Sequence, residues 1–257
     1  MTGANIPEIA LLDVKNLAYL LVDGYWQVSV VDEIDSTQTY LKSKSAKHGE
    51  VIAAEFQSAG RGRLDRIFEA NKSRSLLFSL YIEPKRNRDD WGWIPLLAGL
   101  AISNVLNREV NVFKTKWPND LLAINSPSDG KVAGILSETS GNGVVVGIGI
   151  NVGMSEGELP VPTATSLRLV GGNQLDRNNL LANILIEFAD LFKRWESGED
   201  LSDEYERSSS TIGRSVQVNS LSNENKTGLA TGIGPKGELV LDGDQYIYSG
   251  DVIHLYT

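Results

Sequence analysis

Residues 147–152 read Gly147-Ile148-Gly149-Ile150-Asn151-Val152, glycine or asparagine alternating with β-branched residues. In a strand, successive side chains point to opposite faces. One face of this strand is therefore apolar, and the other carries almost no side chains. Glycine inside a strand marks a place where a ligand or another backbone lies close. The fold must supply a sheet with one buried face and one bared patch. The spacing is not a dinucleotide fingerprint, since no helix follows.

A second segment supplies charge. Gln57-Ser58-Ala59-Gly60-Arg61-Gly62-Arg63-Leu64-Asp65-Arg66 joins two strand-like runs, 50–56 and 75–82. Between Gln57 and Ser75 five Lys/Arg face only Asp65 and Glu69, a local balance of +3 in a chain of net charge −9. Taken alone, the loop reads as a solvated turn, as an arginine-glycine nucleic-acid contact, or as a lid that folds over an anion. The loop is expected to be mobile from Ser58 to Phe68 until an anion arrives.

Composition narrows the chemistry. With 257 residues the chain holds a substantial core in one large domain or in a large and a small one. There is no cysteine, and His48 and His254 are the only imidazoles. Thiolate sites, thioester chemistry, a Ser-His-Asp triad and a His-rich zinc site are thereby disfavoured, and no protein-held metal is expected. The acidic total opposes general nucleic-acid binding, which needs a basic face. No signal peptide or membrane-spanning run is evident, so a cytoplasmic protein without membrane contact is expected.

Strands are expected at 26–34, 50–56, 75–82, 112–117, 120–124, 132–139 and 144–152, by alternation and β-branching. A helix capped by Asp35 or Ser36 should run to Lys47 and stop at Gly49. Apolar helices are expected at 91–107 and 176–195, with a polar helix or linker over 199–210. After Ile212 short strands crowd together (215–220, 228–232, 238–241, 245–248, 252–256), which reads as a small β-barrel. The fold class expected is α+β: a mixed sheet backed by helices over residues 1–211, then a small β domain over 212–257.

Polar groups gather at three further places. Asp35-Ser36-Thr37-Gln38 sits at a strand-to-helix junction, and a helix cap accounts for it as well as a site does. In Lys116-Trp117-Pro118-Asn119-Asp120 a proline breaks the strand where Lys, Asn and Asp converge; turn chemistry is the competing account. Lys131 enters the apolar run Val132-Ala133-Gly134-Ile135-Leu136, either as a snorkelling side chain or as a site cation.

In this order the segments resemble the biotin protein ligases (biotin–[acetyl-CoA-carboxylase] ligases). The Gly-Arg-Gly-Arg loop, Lys-Trp-Pro-Asn-Asp, Lys-x-Ala-Gly-Ile-Leu and Gly-x-Gly-x-Asn carry the resemblance, which spans about Trp26 to Thr257. It implies a class II synthetase-like catalytic domain, an SH3-like C-terminal barrel, and a two-step reaction. Biotin and MgATP give biotinyl-5′-AMP and pyrophosphate; the acyl group then passes to one lysine of a biotin carrier protein.

The resemblance also implies roles. Ser36, Thr37 and Gln57 would hold the ureido ring, with Gln38, Gly60, Arg61, Gly62, Arg63, Lys131 and Gly134 completing the biotin site. Arg61, Gly62 and Arg63 would close over the carboxylate and phosphate. Arg61, Arg63, Arg66, Phe68, Asn119, Lys131, Gly147, Gly149 and Asn151 would hold the nucleotide, the two glycines and Asn151 as its floor. Lys116, Asp120, Lys131 and Arg63 would carry the chemistry, Asp120 orienting or deprotonating the acceptor amine. The family commonly has Asn where Gln38 stands, Gly at Asp65 and Trp at Phe68. About 25 residues precede the first catalytic strand, too few for the winged helix-turn-helix of the repressor members, so a monofunctional ligase, monomeric or weakly dimeric, is expected. A lipoate or octanoate ligase, a nucleic-acid-binding regulator and an inactive scaffold are the competing readings.

Overall fold

The structure is a computed structural model that describes residues 9–63, 66, 71–172, 175–219 and 225–255. The expectations for Leu64, Asp65 and Phe68 fall outside the described residues.

Seven strands form one mixed sheet: β1 (Gln27–Ile34), β2 (Glu50–Gln57), β3 (Ser75–Ile82), β4 (Phe113–Lys116), β5 (Asp120–Ala123), β6 (Gly130–Ser140) and β7 (Gly143–Asn151). Their spatial order is β1-β2-β3-β7-β6-β5-β4, so β7 lies at the centre although it comes last of the seven in the chain. β1 and β2 pair parallel; every other neighbour in this sheet pairs antiparallel.

The alternation in β7 gives the sheet two different faces. Val144, Val146, Ile148 and Ile150 enter the main core with Leu76, Phe78, Leu80 and Ile82 of β3. Helix α3 (Trp93–Leu106) and the long α5 (Arg177–Glu196) pack together behind that core. Nearly all of α3 is buried, Trp93 through Leu106, as its all-round apolar sequence requires. The opposite face carries the short helix α2 (Thr37–Ser43) on β2, β3 and β7, over a small cluster of Leu41, Ile52, Tyr81 and Val145.

Two boundaries differ from expectation. Helix α2 stops at Ser43 rather than Lys47. The chain then turns so that Gly49, at φ +86, donates to Tyr81 O, and its Cα presses on the Tyr25 carbonyl too closely for any Cβ. Helix α1 (Val14–Leu20) was not expected, because only Leu17 of its seven residues is buried. It is held from a distance: Asp13 N donates to Asn178 Oδ1, and Leu12 N donates to Glu55 Oε1. Glu55 forms a buried ion pair with Arg177 at 2.8 Å, and Arg177 also donates to Ser75 O and Ala10 O.

Helices α4 (Leu167–Val170) and α6 (Ser202–Ser208) lead to an antiparallel five-stranded sheet. Its strands are β8 (Ser215–Asn219), β9 (Asn225–Ile233), β10 (Leu239–Leu241), β11 (Gln245–Ile247) and β12 (Asp251–His254), in the order β11-β10-β9-β8-β12. Two buried indoles anchor the β9–β10 turn to the larger sheet. Trp117 Nε1 donates to Gly237 O at 3.0 Å, and Trp93 Nε1 to Pro235 O at 3.0 Å. Gly237, at φ +85, lies so near Gly92 that a Cβ there would sit 2.6 Å from the Gly92 carbonyl carbon. The tryptophan of Lys-Trp-Pro-Asn-Asp is thus an anchor between the two sheets. A further bridge starts at the same residue: Trp117 N donates to Thr211 Oγ1, and that hydroxyl meets His254 Nε2 at 3.2 Å.

Candidate active site

A cavity of about 510 Å³ opens over the α2 face of the large sheet. Its floor follows from the β6–β7 register, in which Gly134 stands opposite Gly149 and Leu136 opposite Gly147. The Gly134–Gly149 pair has no side chains, and Gly147 bares β7 opposite Leu136, so backbone is exposed to a ligand. From Gly147 to Asn151 the strand advances roughly 13 Å, at a rise of about 3.3 Å per residue. The floor therefore suits an extended, two-part ligand.

The α2 end is closed and polar. Ser36 caps α2 by accepting from Thr39 N, so the capping role and the site role fall on one residue. Thr37 donates from both N and Oγ1 to Gln57 Oε1, at 2.7 and 2.9 Å, and its hydroxyl meets Ser79 Oγ at 2.8 Å. Gln38 is 3% exposed; its amide donates to Glu138 Oε2 and Val145 O, and its Oε1 accepts from Ser79 Oγ. All polar atoms of its carboxamide are satisfied within the protein, so Gln38 is a wall of this end rather than a free ligand group. Gly147 lies beneath it: a Cβ there would meet Gln38 Oε1 at 2.6 Å. Gly147, expected in the nucleotide floor, is thus at the α2 end, beside the expected ring-binding residues.

The far end is cationic. Lys131 Nζ reaches Asp120 Oδ1 at 2.6 Å. The start of β6 is strapped by residues 160–165, with Lys131 N donating to Thr163 O and Thr165 N to Lys131 O. Pro160, Val161 and Ala164 of this strap line the cavity. Asn151, a lining residue, donates to Thr165 O, and its buried Oδ1 has no partner among the described residues.

Three arginines of the basic loop diverge. Arg63 donates to Asn119 Oδ1 at 3.0 Å and to Gly250 O, with Asp251 4.0 Å away. Burial pulls its pKa below the usual arginine value, against the opposing pull of Asp251 and Asp120. Arg66 pairs with Asp251 at the first residue of β12. Arg61 turns the other way and forms a two-pronged pair with Glu138. Its guanidinium, expected over carboxylate and phosphate, is committed to a protein carboxylate at the α2 end.

Lys116 and Gly60 do not line the cavity. Lys116 pairs in register with Asp120 across the Trp117-Pro118-Asn119 turn, whose Trp117–Pro118 peptide is cis. It lines an adjoining groove of about 300 Å³ with Asn119, Asp120, Asn219, Asp251 and Val252. Asn119, Asp120, Arg66 and Asp251 border both spaces, so the groove meets the cavity at the Asp120 carboxylate.

The remaining expected residues lie together: Ser36, Thr37, Gln38, Gln57, Arg61, Gly62, Arg63, Arg66, Asn119, Asp120, Lys131, Gly134, Gly147, Gly149 and Asn151 all line the one cavity. Sequence reasoning missed Ser79, Glu138 and Asp251. Glu138 was within reach of period-two counting, since Gly134, Leu136 and Glu138 share a face of β6. Nothing local marks Asp251, which reaches the site only through the packing of the small sheet.

Comparison with known proteins agrees with this arrangement. Residues 30–155 match the biotin/lipoate A/B protein ligase family, and residues 211–255 match the biotin protein ligase C terminal domain. The chain is 34% identical to the biotin–[acetyl-CoA-carboxylase] ligase of Mycobacterium tuberculosis, over 95% of this chain and 96% of that one. It is 31% identical to the bifunctional ligase/repressor BirA of Escherichia coli, covering 95% of this chain and 78% of the relative. The structure of the Aquifex aeolicus biotin protein ligase in complex with biotin and ATP superposes with a TM-score of 0.77 at 28% identity, over 90% of this chain and 99% of that one. With its two sheets, bared glycine floor and cationic cavity wall, the chain belongs to the biotin protein ligase family.

Proposed function

We propose that this cavity is where the protein performs the family's reaction, activating biotin as biotinyl-5′-AMP and passing it to a lysine of a biotin carrier domain. The observation that carries the residue assignment is the polarity of one continuous glycine floor. It has a closed hydrogen-bonding end at Ser36, Thr37 and Gln57, and a cationic stretch at Lys131 and Arg63. The bicyclic ring fits the first, and the acyl phosphate fits the second.

In the first step a biotin carboxylate oxygen attacks the α-phosphorus of ATP and expels pyrophosphate. Negative charge gathers on the phosphoryl oxygens, and the Lys131 ammonium, drawn from Asp120 to the bound phosphate, is the donor that stabilises it. Gly149 lets the nucleotide lie against the sheet, with Asn151 beside it on the cavity wall. Magnesium enters as part of the MgATP substrate and neutralises the polyphosphate. Asp120, Asp251 and Glu138 already have cationic partners, which suits an ion held mainly by phosphate and water.

In the second step the ε-amine of the carrier lysine attacks the acyl carbon and AMP leaves, forming an amide. Asp120 stands where the groove holding Lys116 meets the cavity, so it accepts or orients the amine proton as the lysine arrives. The first 211 residues then act as the catalytic domain and residues 212–257 as an SH3-like C-terminal domain that supplies Asp251.

We further propose a cytoplasmic enzyme, monomeric or weakly dimeric, without nucleic-acid binding; the net charge of −9 supports the last point. Mass spectrometry of a carrier domain incubated with this protein, biotin and MgATP tests the function. A biotinyl increment on one lysine is expected; a lipoyl increment with lipoate in preference to biotin overturns the substrate assignment.

A further inference from the structure

We infer that Glu138 is a positioning residue that clasps the basic loop over the α2 end of the cavity and so sets how long biotin stays bound. The inference rests on the function proposed above.

Glu138 does not line the cavity itself, yet side chains from two segments that do, helix α2 and the basic loop, converge on its carboxylate. Oε1 accepts from Lys42 Nζ at 2.6 Å and from Arg61 Nη2 at 3.4 Å. Oε2 accepts from Arg61 Nη1 at 2.9 Å and from Gln38 Nε2 at 3.1 Å. Four donors fill the acceptor capacity of one carboxylate. Burial acts to raise its pKa, but the bonds from Lys42 and Gln38 and the charges of Lys42 and Arg61 outweigh it and hold the group below the usual range. It is therefore an anion at neutral pH. Its side chain is 22% exposed, which weakens screening of the pairs it makes.

The geometry divides the loop's attachments. Arg63 and Arg66 reach toward Asn119, Gly250 and Asp251 at the far end. Of these three arginines Arg61 is the one that reaches the α2 end, where it meets Glu138, beyond the backbone bonds of Ser58 and Ala59 to Ile34 O and Asp35 O. With Arg61 released, the loop loses its charged side-chain tie beside the expected ring site while keeping its cationic attachment near the phosphate site. The same carboxylate orients the Gln38 amide that walls this end. Loss of Glu138 should therefore act on biotin more than on chemistry.

The test compares Glu138→Gln with Lys42→Met in the full chain. Glu138→Gln keeps the shape and removes the charge; Lys42→Met removes one of the two α2 bonds to Glu138 without touching the loop. For Glu138→Gln, the biotin KM in pyrophosphate exchange should rise roughly tenfold, with kcat at saturating biotin within about threefold of wild type. Release of labelled biotin should accelerate in parallel. Lys42→Met should change the biotin KM by less than about threefold. An unchanged biotin KM in Glu138→Gln, or a fall in kcat alone, overturns the clasp. So does an equal KM rise in both variants at equal losses of melting temperature, which makes Glu138 only a fastening for α2. Failure of the wild-type protein to bind biotin overturns the functional reading itself, and the clasp with it.

Discussion

The Lys131 ammonium lies 2.6 Å from the Asp120 carboxylate, so the two groups assigned to successive steps hold each other before any ligand arrives. The register shift between Leu121 and Leu122 brings them together: Asp120 pairs with Gly134, while Leu122 pairs with Lys131. Under the proposed roles, an incoming phosphate would compete with Asp120 for Lys131 and so free the carboxylate for the amine.

Lys131→Ala should weaken adenylate formation sharply. The loss of one charge-assisted contact at a phosphoryl centre is on the order of 2–4 kcal/mol, about 30- to 1000-fold in rate. Asp120 would also be left without its partner beside the incoming anion. Pyrophosphate exchange measures this, and an unchanged rate contradicts the role. Asp120→Asn should spare exchange and slow single-turnover transfer to the carrier.

Gly147→Ala should crowd Gln38, because the new methyl meets Oε1 at 2.6 Å. Overpacking of this kind costs about 1–3 kcal/mol. Shortening the neighbour by one methylene relieves it, so Gly147→Ala with Gln38→Asn should lose less stability than the two changes summed. Urea melts of the four proteins give the coupling directly.

Acid should weaken the join between the sheets. Burial, with Lys116 and Arg214 nearby, pushes His254 down to about 4. An unfolded histidine near 6.5 binds its proton first, so this contribution is complete above pH 6.5 and is lost as pH falls toward 4. Discounted for solvent screening at a half-buried ring, the effect is about 1–2 kcal/mol. In His254→Gln the stability change between pH 7 and pH 4 should shrink by that amount; an unchanged slope contradicts the assignment.

Arg177→Met should destabilise the chain by roughly 3–5 kcal/mol, since it strands the Glu55 carboxylate in the core. Replacing both members, Arg177→Met with Glu55→Gln, should recover part of the loss. Thermal unfolding checks both, and a melting point that stays put in the single variant rules the ion pair out as a structural support.

The seven-stranded sheet was readable because each strand announces its own burial. The alternation at 144–152 named the faces of β7, and Gly147, Gly149 and Asn151 fell on the cavity side as period two requires. Pairing at a distance was not readable. Helix α1 owes its place to Asn178, Glu55 and Arg177, over 40 to 160 residues away, and its own sequence has too narrow an apolar stripe to announce it. Glu138 and Asp251 look like surface charges until the loop arginines are set beside them. Lys116 stands opposite Asp120 across the Pro118 turn, yet it lines the neighbouring groove and not the cavity, which four residues of sequence do not reveal.

Asp251 also bears on the life history of the molecule. It stands 215 residues after Ser36, yet both border the same cavity. During synthesis the floor and the α2 end can assemble while the anchor for Arg63 and Arg66 is still inside the ribosome. A chain cut before β12 keeps every motif of the large sheet and lacks that anchor. The small sheet thus completes the site: a chain without β12 cannot present Asp251 to the cavity.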